Sequence, residues 1–303
     1  LVGSEMCIRD RVDIMNNAPV ACAINAQTGK ETKRPIKPAA EPKKVTVIGG
    51  GPAGMEAARV AALRGHRVTL YEKEHKLGGL LNVATLPPHK EELVNLINYL
   101  SHQVQKNGAQ VKLGEEFTKD TLKRDMSEVV IVATGRTVPQ PDIPGADKDN
   151  VVSVVDVLNG AREVGDRVLI VGGGRSGCET ADFLNLKGKQ VTILEKEHRV
   201  GIGLGPTSRW TYMLRFISAG VKMERDAEVM RITEKGVEVR RNGATEFFQG
   251  NTVILATGTK PNNRLYNQLK GTFAGRLEKI GDCVEPHGIA EAIETGFLIA
   301  TSL

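Results

Sequence analysis

Lys44-Val-Thr-Val-Ile-Gly-Gly-Gly-Pro-Ala-Gly54, running on to Arg67-Val-Thr-Leu-Tyr-Glu72, is the stretch that decides the fold. The β-branched apolar run over 44–48 predicts a strand, Gly49, Gly51 and Gly54 a tight turn, and the pattern through Arg64 a helix stopped by Gly65. A second strand over 67–71 closes on Glu72, about 20 residues beyond the first glycine, which is the spacing of a dinucleotide-binding βαβ unit. In such a unit Gly49 permits the turn, Gly51 admits a pyrophosphate to the helix N-terminus, Gly54 lets helix and strand pack, and the acid accepts from a ribose hydroxyl.

The construction returns. Arg167 to Val171, Gly172-Gly-Gly174-Arg-Ser-Gly177, a helix to Gly188 and Gln190 to Leu194 close on Glu195. Gly49 recurs at Gly172, Glu72 at Glu195 and Ala133-Thr-Gly135 at Ala256-Thr-Gly258, always 123 positions on (172 minus 49). Two homologous units in tandem are expected, one nucleotide in each. Between and after them, 88–106 reads as a helix, 110–113 as a strand, 208–219 as a helix and 236–241 with 245–248 as a hairpin turned at Asn242-Gly243. A short strand over 278–280 and a helix over 289–300 follow.

Composition fits. The 303 residues are enough for about two domains. Hydrophobic residues at 40% and charged at 25% describe a globular chain, not a disordered one. The formal charge of +5 is concentrated in Lys30, Lys33, Arg34, Lys37, Lys43 and Lys44, and aromatics are only 4%, which argues against a nucleic-acid face. No stretch reaches the length of a membrane span and no secretory signal is evident, so a cytoplasmic protein is expected. Cys7, Cys22, Cys178 and Cys283 form no C-x-x-C pair, so redox chemistry must come from a bound cofactor.

These motifs, with Leu77-Gly-Gly79, Pro261-Asn262 and Ile280-Gly-Asp282, resemble the flavoproteins that carry two dinucleotide-binding domains. The resemblance implies an α/β fold of two Rossmann-like domains, the NAD(P) domain (139–271) inserted in the FAD domain (45–138 and 272–303). Carried over by position, Gly49, Gly51, Pro52, Ala53, Gly54, Glu72, Lys73, Gly79, Thr134, Gly135, Gly281, Asp282 and Ala290 would hold FAD. Gly172, Gly174, Ser176, Gly177, Glu195, Lys196, Thr257 and Gly258 would hold NADH or NADPH. Glu195 favours NADH by repelling a 2′-phosphate, although Lys196, His198 and Arg199 follow directly and could neutralise one. No catalytic side chain is implied, because the cofactors carry the chemistry.

Leu77-Gly-Gly-Leu-Leu-Asn-Val-Ala84, Pro87-Pro-His-Lys90, Gly177-Cys-Glu-Thr180 and Gly281-Asp-Cys-Val-Glu-Pro286 resemble more closely the C-terminal half of the NADH:flavin oxidoreductase family. It includes 2,4-dienoyl-CoA reductase, enoate reductases and trimethylamine dehydrogenase. The resemblance implies that in a full-length enzyme electrons pass through an iron–sulfur cluster to FMN on an N-terminal barrel, reducing an activated alkene. Val20-Ala-Cys22 resembles the last cluster cysteine, so residues 1–44 are expected to be a remnant of that segment and a linker, with Cys22 a single remaining ligand. Leu80 departs from the family's frequent Gln. Ser4 to Arg11 resembles translated adapter read-through, and an N-terminally truncated frame is expected. Two alternatives stay open: an electron-transfer reductase like the small subunit of glutamate synthase, and a module that holds ADP without hydride transfer, as in trimethylamine dehydrogenase. Other residues read as packing or surface: Cys178 against a sheet, Trp210, Tyr212 and Phe216 in a core, His66 and His102 on polar helix ends, His287 at a helix start.

Overall fold

A computed structural model describes residues 21–303; the expectations placed on Cys7 and on residues 1–20 lie outside the described residues. In chain order the elements are β1 (Lys44–Ile48), α1 (Pro52–Leu63), β2 (Arg67–Glu72), α2 (Leu81–Ala84), α3 (Leu93–Lys106), β3 (Gln110–Leu113), α4 (Lys119–Asp125), β4 (Val129–Val132) and β5 (Arg136–Thr137). Then come β6 (Val151–Ser153), α5 (Val154–Leu158), β7 (Arg167–Val171), α6 (Arg175–Leu186), β8 (Gln190–Leu194), α7 (Pro206–Ala219), β9 (Lys222–Glu224), β10 (Glu228–Thr233), β11 (Gly236–Arg241), β12 (Ala244–Gln249) and β13 (Thr252–Leu255). The chain ends with β14 (Lys260–Pro261), α8 (Arg264–Leu269), β15 (Arg276–Lys279), a 3-10 turn (Gly281–Cys283) and α9 (Ile289–Thr301).

The chain divides into two compact units. The first is built from residues up to Ala84, from Glu92–Thr137 and from Thr259–Leu303; the second is Thr85–Glu91 with Val138–Gly258. The first unit holds a parallel sheet in the order β15-β4-β1-β2-β3. Its central strands β4, β1 and β2 are buried on both faces, and this is why they read as largely apolar runs. Val45, Val47, Val68, Leu70, Val129 and Ile131 face α1, α3 and α9, while Ile48, Tyr71, Val130 and Val132 face Phe117, Leu269 and Cys283. Helix α9 lies so close on α1 that a Cβ at Gly296 would sit 2.4 Å from the Ala53 carbonyl oxygen.

The second unit has a parallel sheet in the order β6-β13-β7-β8-β9 and an antiparallel sheet β10-β11-β12. Val168, Ile170, Val191, Ile193 and Ile254 pack on Ala181, Leu184, Tyr212 and Phe216 of α6 and α7; Leu169, Val171, Leu194 and Leu255 pack on Ile232, Val237 and Val239. The β11–β12 turn is Asn242-Gly243, both at positive φ, as a two-residue hairpin of this twist requires.

Four expectations change. The helix expected from Pro88 starts at Leu93, because His89 lies at φ 66°, outside the helical region, and 85–91 packs in the second unit. The second unit ends at Gly258 rather than at 271, since β14 pairs with β5 and the Asn262 amide donates to the Gly135 carbonyl at 2.9 Å. Trp210 is 65% exposed, on the side of α7 away from Tyr212 and Phe216. His66 also differs: it is buried, its Nδ1 accepts from the Lys43 amide at 3.1 Å, and burial holds its imidazole below the usual pKa.

Candidate functional site

Each unit presents one cradle, and the two are built alike. Gly49 and Gly172 lie at φ 108 and 104°, where a side chain is strained. A Cβ on Gly54 or Gly177 would come within 1.9 or 2.0 Å of the Gly49 or Gly172 carbonyl oxygen. By contrast, a Cβ on Gly51 would meet nothing within 4 Å, and one on Gly174 only the Ile202 oxygen at 3.7 Å. The turn is thus closed toward the sheet and open on its outer side, where a ligand backbone approaches.

Helices α1 and α6 begin at Gly51 and Gly174 with no side-chain cap and no acid in the first turn. Their first amides are left for an anion, and the helix dipole adds to the attraction. At the end of β2, Glu72 is buried and held by two backbone donors: the Gly50 amide at 2.7 Å and the Glu74 amide at 2.9 Å. Glu195 repeats this with the Gly173 amide at 2.6 Å and the Glu197 amide at 2.9 Å. Each carboxylate is locked next to its glycine turn, with acceptor capacity left for a hydroxyl. The residues present fit a dinucleotide in each unit.

The remaining candidates gather around these turns unequally. In the first unit Gly79, at φ 53°, stands against Gly51, and the Gly78 amide donates to the Gly50 carbonyl at 2.8 Å. Thr134 Oγ1 donates to the Asn262 carbonyl at 2.6 Å, while Thr257, its counterpart, is exposed. Asp282 accepts from the His287 amide at 3.1 Å and lies 3.4 Å from Arg136 Nε. Arg136 escaped the sequence reading, although it directly follows the first Ala-Thr-Gly. Gly281, at φ 64°, sits over Ala53, and Ala290 opens α9, where Glu291 accepts from the Gly288 amide at 3.1 Å. Lys73 and Lys196 point outward, each near the following glutamate, at 3.7 and 3.9 Å. Ser176 is exposed on the first turn of α6 beside Arg175, which donates to the Gly203 carbonyl. Pro52 occupies the first position of α1, where its missing N–H costs nothing.

Among the described residues, Cys22, Cys178 and Cys283 are free thiols. Burial, with Glu179 and Glu195 nearby, pushes Cys178 up to about 12, and burial also raises Cys283, so both are packing residues. Among the described residues no three His, Cys, Asp or Glu side chains come together as a metal site. Cys22 alone does not fit a cluster that needs four thiolates. No helix among the described residues is long and apolar enough to cross a membrane.

The model of the pyridine nucleotide-disulphide oxidoreductase family matches residues 43–278. The chain belongs to that family. Its fold and its class, an NAD(P)H-dependent flavoprotein oxidoreductase, follow. The NADH oxidase of Thermoanaerobacter brockii is 36% identical over 303 residues, 97% of this chain and 46% of that protein. The cinnamate reductase of Clostridium sporogenes is 33% identical over 96% of this chain and 44% of its own length. A solved 2-naphthoyl-CoA reductase superposes with a TM-score of 0.92 at 31% identity, covering 96% of this chain and 44% of that one. The chain therefore spans about half the length of these three relatives, and they support its reading as the FAD- and NAD-binding half of such flavoproteins.

Proposed function

We propose that the first unit binds FAD, the second binds NADH, and the chain takes a hydride from NADH onto the flavin. The observation that carries this reading is the duplicated cradle: an open glycine turn, an uncapped helix N-terminus and an amide-locked glutamate, once per unit. When bound, the nicotinamide and flavin rings supply the redox chemistry themselves. The chain's share is binding, orientation and charge. The amides opening α1 and α6 neutralise the pyrophosphates. Glu72 and Glu195 receive the adenosine riboses. Arg136, within an ion pair with Asp282, would set a cation beside the late Gly-Asp turn, where FAD would be held.

NADH is preferred over NADPH because Glu195 is a buried carboxylate with a fixed orientation, a poor neighbour for a 2′-phosphate. Two of the three basic residues that follow have partners of their own: Lys196 Nζ lies 3.9 Å from Glu197, and His198 Nδ1 lies 3.0 Å from Asp226 Oδ2. The electrons then serve an acceptor in the half of the longer relatives that the match does not cover. The names cinnamate reductase and bilirubin reductase point to an activated alkene as that acceptor's substrate class.

The test is an anaerobic titration of the FAD-loaded chain with NADH and, separately, NADPH, followed in the flavin absorbance band. The reading requires one FAD per chain and faster bleaching by NADH. Binding of ADP without FAD would replace it with a nucleotide-holding module.

A further inference from the structure

The two copies differ in how they balance a buried acid. Glu56 of α1 and Glu179 of α6 hold equivalent places, two residues past the last glycine of each turn, and both are buried. In α1 the balancing cation is local, one helical turn on: Arg59 Nη2 lies 2.7 Å from Glu56 Oε1 and Arg59 Nε donates to Oε2 at 2.8 Å. In α6 the position equivalent to Arg59 is Asp182, itself only 3% exposed. The second copy has thus exchanged its cation for a further acid.

The missing charges arrive from elsewhere in the chain. Arg215 Nη2 of α7 stands 2.9 Å from Asp182 Oδ2. Lys90 Nζ stands 2.7 Å from Glu179 Oε1, with side chains only 15% and 11% exposed. Lys90 belongs to a strap, 85–91, that packs in the second unit although the chain on both sides of it, up to Ala84 and from Glu92, packs in the first. Pro87 of the strap is buried, and His89, at φ 66°, lies close enough to act on Asp182. Two prolines make the strap stiff. Upstream it continues from Gly78 and Gly79, which lean on the first unit's turn.

We propose that the Lys90–Glu179 ion pair is a latch that holds the 85–91 strap on α6, and that the latch is a positioning element for hydride transfer from the second unit. With the latch closed, the second unit is held by the strap as well as by the crossings at 137–138 and 258–259. With it open, those two crossings remain. Removing one partner strands a desolvated charge, so a single substitution opens the latch and a reversed pair recloses it. The cradle and Glu195 are untouched, so the expected loss is in rate rather than in coenzyme affinity. This inference rests on the hydride-transfer reading for its rate and on geometry alone for the latch.

The experiment uses the FAD-loaded chain with Lys90→Gln, Glu179→Gln, Lys90→Arg and the reversed pair Lys90→Glu with Glu179→Lys. Anaerobic stopped-flow reduction by NADH should show a limiting rate lowered on the order of 10- to 100-fold in the Gln variants, the penalty of slight misplacement. The half-saturating NADH concentration should stay near that of the unaltered chain, and Lys90→Arg and the reversed pair should recover most of the rate. Brief trypsin treatment reads the latch without hydride transfer: the Lys90–Glu91 bond should resist in the unaltered chain and be cut rapidly in Glu179→Gln, at a temperature where both chains are folded. Unaltered rates in both Gln variants, or a folded reversed pair that recovers nothing, overturn the positioning role. Equal cleavage of the two chains overturns the latch. If neither NADH nor NADPH reduces the flavin of the unaltered chain, the hydride-transfer reading fails, and the trypsin comparison still decides the latch.

Discussion

The two units share a cradle and differ in what surrounds it. Both have the parallel core β4-β1-β2 or β13-β7-β8, with the same register of apolar residues. Yet the strand beside β4 is β15, from the end of the chain, while the strand beside β13 is β6, which precedes its unit's glycine turn. The first unit covers its second sheet face with Phe117, Leu269 and Cys283; the second uses the antiparallel sheet β10-β11-β12. The lesson is that ligand geometry fixes the turn, the helix start and the acid, whereas the outer layers need only exclude water.

The largest expected effect falls on the shared part. Gly54→Val or Gly177→Val drives a side chain into a carbonyl oxygen about 2 Å away and should cost more than about 4 kcal/mol in its own unit. In urea unfolding, Gly177→Val should disturb the second unit while the chain still retains FAD; loss of FAD from both variants alike would break the division into two units.

Next comes the acid that the copies treat differently. Arg59→Ala leaves Glu56 buried without its cation and should lower stability by about 3 kcal/mol, measured by urea unfolding at pH 7. Glu195→Gln should narrow the preference for NADH over NADPH by roughly tenfold in kcat/KM, about 1.4 kcal/mol. An unchanged ratio would place the discrimination outside Glu195.

The buried aspartates sharpen the contrast through pH. Asp125 of the first unit meets opposing influences: burial disfavours its charge, but the Ser127, Thr46 and Tyr71 hydroxyls and Lys44 outweigh burial, so its pKa is lowered. Its stabilisation is present above the unfolded value and lost as pH falls through the lowered one. Asp182 is raised by burial, against Arg215 and His89, so its contribution is full below the unfolded value and lost as pH rises through the raised one. Asp125→Asn should therefore destabilise at pH 7 and cost less near pH 3, while Asp182→Asn should stabilise at pH 7 and lose that benefit on acidification. The smallest effect separates the threonines: Thr134→Ala removes a bond to the Asn262 carbonyl and should cost about 1 kcal/mol, whereas Thr257→Ala should stay within about 0.5 kcal/mol.

The cradles were legible in the sequence because every residue in them answers a local demand. Glycine, acid and apolar run each follow from the turn or the strand they sit in, and repetition at one offset removed the ambiguity of a single motif. What escaped lies in contacts between distant residues. Pro87-Pro-His-Lys90 was visible as a motif, but its packing on α6 depends on Glu179, far along the chain. Trp210 read as core because helical spacing does not say which face is inward, and here Tyr212 and Phe216 take the sheet. Arg136 gave no signal until Asp282 was placed beside it. A usable cue existed in the duplication itself: aligning Arg59 with Asp182 shows a reversed charge that must be compensated from outside the helix.

The most direct test of two cradles for two different nucleotides is equilibrium dialysis of the chain against FAD and NADH together, repeated with Gly54→Val and Gly177→Val. The account predicts one FAD and one NADH per chain, FAD lost with the first substitution and NADH with the second. Two molecules of FAD per chain, or NADH binding that survives Gly177→Val, would contradict it.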